Sequence, residues 1–239
     1  MLRTLQALLL SSCLVSAASA VPVRCGLKAG SSIPNLRDNG GNEFSSGWST
    51  RVGLFLGTSA EVSLTPRLSV QAELNYSQQG AKKNGLQAVS LPDVPMTLFA
   101  DIKNTAKLDY LEIPVLAKYR IGGARQFYAT FGPYVGFLLT AKNVSSGSSL
   151  VYLDQQKTQP VTGSPVDFGA TTDIKSELRS TNWGIQGGVG YQRPIGSGRI
   201  ELDVRGGYGL VNVQKDTAVN GKNNTGSLVV SLGYGVLPH

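Results

Sequence analysis

Apolar and polar residues alternate along two long stretches that flank a glycine-rich turn. The alternation runs from Leu108 to Arg120, pauses at residues 122–125, and resumes from Phe127 to Thr140. Because successive side chains of a β-strand point to opposite faces, the pattern predicts a hairpin with one apolar face and one polar, glycine-rich face. Each arm has at least the roughly 9–11 residues that a tilted strand needs to cross a bilayer.

The same alternation recurs on both sides of this hairpin and predicts further strands, which begin near Val23, Trp48, Leu68, Trp183, Ile200 and Ser227. Tight turns at residues 65–67, 122–125 and 194–198 alternate with long polar connections, among them residues 80–106 and 142–177. Short periplasmic turns, long external loops and an even strand number are typical of bacterial outer-membrane barrels. The sequence therefore predicts an all-β fold, an eight-stranded antiparallel up-and-down transmembrane β-barrel with both termini in the periplasm.

Aromatic side chains are concentrated at two levels of the predicted strands. Those near the loop ends are Trp48, Tyr76, Phe137, Trp183 and Tyr208. Those near the turn ends are Tyr119, Phe127, Tyr191 and Tyr234. Two belts of this kind mark the two membrane–water interfaces of a transmembrane barrel, so we predict that these residues form aromatic girdles.

Charged residues occupy the polar face of the same strands. Strands in hydrocarbon must close on themselves to pair every backbone group, and an eight-stranded barrel is narrow enough for its own side chains to fill. The predicted interior contains the cations Arg24, Lys28, Arg51, Lys118, Arg120 and Arg205 and the carboxylates Glu61, Glu73, Glu112, Glu201 and Asp203. Because an unpaired buried charge is costly, we predict a network of ion pairs there. Inward glycines are expected to make room for long arginine and tyrosine side chains.

The N-terminus, residues 1–20, is predicted to be an export signal. Arg3 supplies the positive charge, residues 5–15 form the apolar core, and an A-x-A cleavage site follows, which leaves residues 21–239 as a single barrel domain. A transmembrane anchor is one alternative, but the apolar run is shorter than the ~20 residues that a spanning helix needs. Lipoprotein-type processing at Cys13 is another, which the continuation of the apolar run beyond that residue disfavours.

Two segments of the central hairpin carry a resemblance to a known family. They are Leu111–Pro114 and Gly132–Gly136, and the likeness extends over most of the mature chain through Gly26–Gly30, Gln71–Gln78 and Leu232–Tyr234. The chain resembles the PorT-like small outer-membrane β-barrel proteins. The resemblance implies a closed antiparallel barrel in an outer membrane, with prolines within both segments. Since strands usually exclude proline from their interior, each is expected at a bulge, a strand end or a locally irregular site. The family name points to an accessory role in protein secretion, whereas its members share no reaction.

The residues that many enzyme mechanisms require are scarce in this chain. The single histidine is His239, the last residue, which disfavours triad-type catalysis. Gly187–Gly190 lies within a strand pattern and does not open a helix as a phosphate-binding loop would. Glu201 and Asp203 could form a catalytic pair or a proton path, but a salt-bridged interior explains them without a reaction. We therefore predict no enzymatic activity and no catalytic residue.

No cofactor or metal site is predicted either. Only Cys25 remains after signal removal, and the loop carboxylates Asp154, Asp167 and Asp173 are too widely spaced for a calcium-binding loop. The formal net charge is +7, yet the loops contain no dense cluster of basic residues. We therefore predict no nucleic-acid partner and instead an attraction to anionic lipid. The predicted partners are outer-membrane lipid and an envelope or surface protein that the long loops contact.

The predicted function is that of a structural or interaction scaffold, with a side-chain-filled lumen and recognition through external loops. An accessory role in the cell envelope or in protein secretion is its specific version. The alternative is a narrow channel or transporter for small solutes or ions, which the polar interior favours and the small diameter opposes. A soluble, lipocalin-like carrier would reverse the two faces, and the aromatic belts and strand lengths argue against it.

Overall fold

Eight antiparallel strands close into a ring in chain order. The structure of the protein, a computed structural model, describes residues 22–38, 48–89, 96–123, 126–216 and 223–236. The strands are β1 (Val23–Asp38), β2 (Gly53–Ser63), β3 (Leu68–Val89), β4 (Leu98–Ile121), β5 (Phe127–Ser146), β6 (Thr181–Ile195), β7 (Gly198–Asn212) and β8 (Asn223–Val236). The ring closes where β1 pairs with β8, so the predicted eight-stranded antiparallel barrel is confirmed.

Smaller elements lie in the connections between these strands. They are the short strands Ser49–Thr50, Ser148–Ser149, Val151–Tyr152, Val166–Asp167 and Ala170–Asp173, and the 3₁₀ helix Lys175–Glu177. No helix in the described part of the chain has the length and apolar composition that crossing a bilayer requires.

The connections sort into two ends of the barrel. The turn end has the connections 64–67, 122–126 and 196–197. The loop end has the connections 39–52, 90–97, 147–180 and 213–222. At the turn end, Thr65 Oγ1 accepts the backbone N–H of Leu68 at 2.9 Å, and Gly196 has a φ of +56°, which glycine adopts without strain. The predicted export signal, residues 1–20, lies outside the described residues.

The strands at the loop end are longer than predicted. The segment 80–106, predicted as a polar connection, is largely strand, because β3 and β4 stay paired up to Val89 opposite Leu98. β1 likewise continues past its predicted end to Asp38, and β5 continues to Ser146. The prediction of a long loop between β3 and β4 was therefore wrong.

The outer and inner faces of β3 exchange apolar and polar character along the strand. In the first part of β3, Leu74 points outward and is 47% exposed, whereas Glu73 is buried. Farther along the strand, Lys82 is exposed and Ala81 is buried. A sheet that leaves the hydrocarbon needs a polar outside and an apolar inside, so the outward-apolar rule did not identify this part as strand.

A continuous band of apolar side chains covers the outside of the barrel. Phe131 and Val189 are 61% and 62% exposed, and Leu232 is 58% exposed. Other members are Leu27, Leu54, Leu56, Leu74, Val115, Phe127, Ile185, Leu202, Val204 and Leu228. Soluble monomers rarely expose contiguous apolar patches larger than a few hundred Å², so the band indicates contact with lipid.

Two local irregularities interrupt the β-ladder. The register of β4 with β5 shifts where Asp109 faces Thr140 and Tyr110 faces Leu138, which forms a β-bulge. The two prolines lie inside strands, and the pairings of β3 with β4 and of β4 with β5 lack the positions that would face Pro114 and Pro133, respectively. The register is the same on both sides of each gap, so neither proline lies at a bulge; each lies where the ladder omits a pair, as the missing N–H requires.

Candidate functional site

The charged side chains inside the barrel form two clusters. The first, the turn-side cluster, consists of Glu61, Lys118, Arg120, Arg199 and Glu201. Glu61 accepts from Lys118 Nζ at 3.1 Å and also pairs with Arg120 and Arg199. Glu201 pairs with Lys118 at 2.8 Å and with Arg199 at 2.5 Å. These side chains are at most 9% exposed, so bulk water and salt screen their attraction only weakly.

The second, the mid-barrel cluster, consists of Lys28, Glu73, Asp203 and Arg205. Arg205 donates two hydrogen bonds to Glu73, of 2.8 and 3.1 Å, in the fork geometry that guanidinium groups favour. Lys28 Nζ donates to the same carboxylate at 2.7 Å. Arg205 also lies 3.2 Å from Asp203, which accepts from the Tyr128 hydroxyl at 3.1 Å. Two cations therefore face two carboxylates in this cluster.

One strand contributes to both clusters. The inward positions of β7 alternate as Arg199, Glu201, Asp203 and Arg205, of which the first two join the turn-side cluster and the last two the mid-barrel cluster. Arg199 was not predicted, because the strand was expected to begin at Ile200. The signal was present in the sequence, since the alternation of charges extends back to Arg199 without interruption.

Glu112 has a different environment from the other interior carboxylates. It is 4% exposed and accepts hydrogen bonds from Gln79 Nε2 at 2.6 Å and Gln186 Nε2 at 3.1 Å. Among the described residues, no cation lies within ion-pair distance of it. Side-chain amides therefore satisfy this carboxylate in place of a cation, and neither glutamine was among the predicted site residues.

The remaining two predicted lumenal cations lie at opposite ends of the barrel. Arg24 is half-buried at the turn end and forms no ion pair with a described residue. Arg51 is half-buried toward the loop end, where its Nη1 donates to the backbone oxygen of Gln79 at 2.9 Å. The structure therefore brings the other predicted cations together with four of the five predicted carboxylates, and it leaves these two cations, like Glu112, outside the ion-pair clusters.

Interior tyrosines lie against glycines of the neighbouring strand. A Cβ atom on Gly190 would approach the ring of Tyr128 to 2.2 Å, and one on Gly184 would approach the ring of Tyr134 to 2.8 Å. The expectation that inward glycines make room for long side chains is confirmed at these positions. The ring of Tyr128 also receives a cation, since Lys118 Nζ lies 4.2 Å from its centroid.

The loop end is closed by an apolar cluster, the loop-side cap, which consists of Leu108, Tyr110, Leu138, Ala141 and Leu178. Leu178 belongs to the long connection between β5 and β6, and backbone hydrogen bonds hold this part of the connection in place. Arg179 N–H donates to Val213 O at 2.8 Å, and Lys215 N–H donates to Glu177 O at 3.0 Å. The cap was not predicted, because it depends on contacts between distant parts of the chain.

The turn end contains a cavity of about 320 Å³, which we call the turn-end cavity. Its lining includes Arg24, Arg120 and Arg199. The connections at this end are a few residues long, so no folded loop covers the opening among the described residues. No residue pattern indicated the cavity itself, although two of its three arginines were predicted to point inward.

The predicted turn-end girdle residues lie near the turn ends of their strands, whereas Tyr76 and Phe137, predicted near the loop ends, lie well inside the extended strands β3 and β5. Tyr119, Phe127, Phe137, Trp183, Tyr208 and Tyr234 are exposed, and Trp48, Tyr76 and Tyr191 are half-buried. At the turn end, the rings of Phe127 and Tyr191 meet edge to face with centroids 5.2 Å apart. Contact of these rings with membrane interfaces stays a prediction.

Carboxylate, histidine and thiol groups are not assembled as metal ligands within the described ranges. The loop residue Asp154 has a structural role, because it accepts hydrogen bonds from the backbone N–H of Thr158 and Gln159. The loop carboxylates considered in the sequence thus include one that stabilises a turn.

A closed ring of an even number of strands with an apolar outer face and a polar interior is typical of bacterial outer-membrane barrels. Residues 17–215 match the model of the family described as outer membrane protein beta-barrel domain. The chain belongs to this family. Membership indicates an outer-membrane location for this barrel, whereas the orientation of its ends and the narrower PorT-like resemblance stay predictions.

Solved outer-membrane proteins align with this barrel over nearly its whole length. Ail, the attachment invasion locus protein of Yersinia pestis, is 12% identical, with 90% of this chain and 99% of that one covered and a TM-score of 0.39. Neisserial surface protein A is 14% identical, with 90% and 97% covered and a TM-score of 0.41. OprG from Pseudomonas aeruginosa is 11% identical, with 91% and 97% covered and a TM-score of 0.39. No curated protein matches the sequence.

Proposed function

We propose that this outer-membrane barrel is a non-conducting scaffold that presents its loop end to lipid and to a surface or envelope partner. The observation that carries the proposal is the filled interior. Along the barrel axis, the turn-side cluster, the mid-barrel cluster, Glu112 with its amide partners and the loop-side cap follow one another, and their side chains are buried. A solute would have to separate buried ion pairs to pass, which leaves uncompensated charges at high cost.

The surface available for recognition is the extension, which consists of residues 80–89 of β3, 98–108 of β4 and 140–146 of β5. It is rigid, because paired strands form it and the short strand Val151–Tyr152 extends the sheet beside β4, where Val151 pairs with Ala100 and both are fully buried. Recognition is commonly carried by segments that a rigid frame positions. The extension therefore supports the proposal of an interaction scaffold.

Lysines on the outer face of the extension favour an anionic lipid as one partner. Lys82, Lys103, Lys107 and Lys142 are exposed, and Lys107 lies directly opposite Lys142 in the ladder. Like charges at directly opposed positions destabilise a strand pair unless an anion lies between them. Asp173 faces Lys142 on its other side, whereas Lys107 faces Gly80 there and still needs an anion. Because these lysines follow the apolar band along the strands, a lipid phosphate at the membrane surface is well placed to supply that anion.

Conductance measurement tests the scaffold against the channel. Purified protein in planar bilayers should give no steady ion current, and liposomes that contain it should not swell in small sugars faster than empty liposomes. Reproducible single-channel currents, or sugar entry that scales with the amount of folded protein, would favour the narrow channel and contradict the proposal. Folding of the inserted protein is checked in the same samples by the heat-dependent shift in gel mobility.

The lipid contact is tested by stability in vesicles of different headgroup charge. The wild-type protein should be more stable in anionic than in zwitterionic vesicles, and the double variant Lys107→Gln, Lys142→Gln should lose most of that difference. Lys157→Gln serves as the control, because this lysine pairs with Asp101 in an exposed loop region. An unchanged difference in the double variant would remove the support for lipid as partner.

The accessory role in secretion is tested by deletion of the gene. A mutant that secretes its proteins normally and retains an intact envelope would count against both this role and a general envelope role. Restoration of the phenotype by the wild-type chain, and loss of that restoration when residues 80–106 are shortened to a tight turn, would assign the role to the extension.

A further inference from the structure

The two halves of the interior differ in charge balance. In the mid-barrel cluster, two cations face two carboxylates. In the turn-side half, the described cations Arg24, Lys118, Arg120 and Arg199 face only Glu61 and Glu201. Among the described residues, the turn-side half therefore has a surplus of positive charge, and this surplus lies beside the turn-end cavity.

The cavity wall contains the donors that an anion would need. Arg24, Arg120 and Arg199 line it together with the amides Gln126 and Gln192 and the hydroxyl of Ser63. These groups come from β1, β2, β4, β6, β7 and one turn, so the ring itself brings them to one place. A cavity of about 320 Å³ has room for a phosphate group that carries a small organic substituent.

Some of these donors have no acceptor in the described part of the structure. Arg199 is only 7% exposed, yet its Nε–H has no hydrogen-bond acceptor there. Arg24 forms no ion pair with a described residue, although it faces Glu61 across the β1–β2 ladder. A buried charged donor without an acceptor is unfavourable, and an anion in the cavity would remove that deficit.

We propose that the turn-end cavity is a binding site for a small phosphate-bearing anion. Guanidinium groups match phosphate oxygens with paired N–H donors, and three of them converge here. The cavity opens at the end of the barrel, inside the ring of strands, and not through its lipid-facing wall. The proposed ligand is therefore a water-soluble phosphate compound. A lipid headgroup also carries a phosphate group and is the alternative source that the experiment must distinguish. In the orientation predicted from the sequence, the ligand enters from the periplasm.

Titration with inorganic phosphate tests the site directly. The full chain, folded in a non-ionic detergent at constant ionic strength, should bind phosphate saturably in a calorimetric titration. Arg24→Gln should weaken binding at least about tenfold, because it removes a charge-assisted donor. Arg67→Gln is the matched control, since Arg67 is an exposed arginine of the turn end that does not line the cavity, and its affinity should equal that of the wild type.

Two further measurements distinguish a soluble phosphate compound from a lipid headgroup and detect a variant that fails to fold. Glycerol phosphate should bind at least as tightly as phosphate, whereas binding only to phosphatidylglycerol in mixed micelles would overturn the soluble ligand. Phosphate should also raise the unfolding temperature of the wild type relative to chloride at equal ionic strength, and Arg24→Gln should lose that rise. Equal affinities in wild type and Arg24→Gln, or no saturable binding, would contradict the proposal.

Discussion

The two ends of the barrel interior are packed with different kinds of side chain. At the loop end, the connection between β5 and β6 is long enough to fold back, and it places Leu178 against Tyr110 and Leu138 in an apolar cap. At the turn end, the connections are too short to cover the opening, and the charged side chains of the strands fill the interior below the turn-end cavity. In this barrel, the end with the long connection is packed with apolar side chains, and the end with short connections is packed with ion pairs.

The ends also differ in what they leave unsatisfied. The cap is built from apolar groups that need no partner, whereas the turn end retains guanidinium donors beside a cavity. A buried ion-pair layer is stable only when each of its charges has a counter-charge, because an unpaired buried charge is costly. Function at the loop end is therefore expected on the outer surface, and function at the turn end inside the ring.

The largest expected effect comes from the mid-barrel cluster that separates the two ends. Glu73→Gln leaves Lys28 and Arg205 buried without their shared carboxylate. We expect the free energy of unfolding to fall by about 3–5 kcal/mol, measured by urea unfolding in vesicles with tryptophan fluorescence. Asp101→Asn is the control, because its partner Lys157 is exposed, and it should leave the unfolding midpoint unchanged. A Glu73→Gln protein as stable as the control would show that the cluster contributes little.

The next effect concerns the cap alone. Leu178→Ala removes a side chain that is 3% exposed and should weaken the loop-side cap by about 2–3 kcal/mol, which is the cost of an under-filled apolar site. The loss should be local, so protease cleavage within residues 147–180 should accelerate while the barrel keeps its heat-dependent gel shift. Leu153→Ala, at a position that is 40% exposed, should cleave like the wild type. Equal cleavage of both variants would contradict an apolar closure of this end.

A smaller effect is expected in the barrel wall between the two ends, where β4 and β5 approach each other closely at Gly132. A Cβ atom on Gly132 would lie 2.0 Å from the backbone oxygen of Val115, whereas one on Gly136 would meet its nearest neighbours at 3.6 Å. Gly132→Ala should therefore cost about 1–3 kcal/mol through a forced backbone shift. Gly136→Ala, at another inward position of the same strand, should be nearly neutral. Similar unfolding midpoints for the two variants would show that the close approach of β4 and β5 is not a constraint.

The smallest effect concerns the exposed charges of the loop end. The hydrogen bond that Lys157 donates to Asp101 raises the pKa of the lysine. The contribution of this hydrogen bond to stability is therefore present below the ordinary pKa of lysine, and it is lost as the pH rises through the raised pKa of Lys157. Lys157 should titrate at lower pH in Asp101→Asn than in the wild type, as followed by NMR of the side-chain carbon next to Nζ. An identical titration would show that the contact is absent in solution.

Much of the fold could be predicted from the sequence, because a period of two is a local signal. Alternation at Leu74 and Glu73, or at Leu202 and Glu201, is sufficient to assign the outward and inward faces of a strand in lipid. The same rule failed at Lys82, since a strand that has left the hydrocarbon inverts its pattern. Local rules thus hold only while the solvent on the outside stays the same.

The site was predictable only in part, for a related reason. The inward phase of Lys118 or Arg205 follows from its own strand, but the identity of its partner depends on register across several strands. The cap and the cavity depend on where long and short connections end in space, which no local pattern of residues records. Arg199 was missed for a simpler reason, because the predicted strand began one residue too late.

The central claim is that the apolar face of each strand contacts lipid while the ionic face fills the interior. Nitroxide labels at Leu74→Cys and Lys82→Cys, each in a Cys25→Ser background and in vesicles, test it most directly, because both positions lie on the outer face of β3. We expect the nitroxide at position 74 to be accessible to oxygen and protected from a water-soluble nickel complex. We expect the nitroxide at position 82 to show the reverse. A label at position 74 that the nickel complex reaches freely would contradict the account.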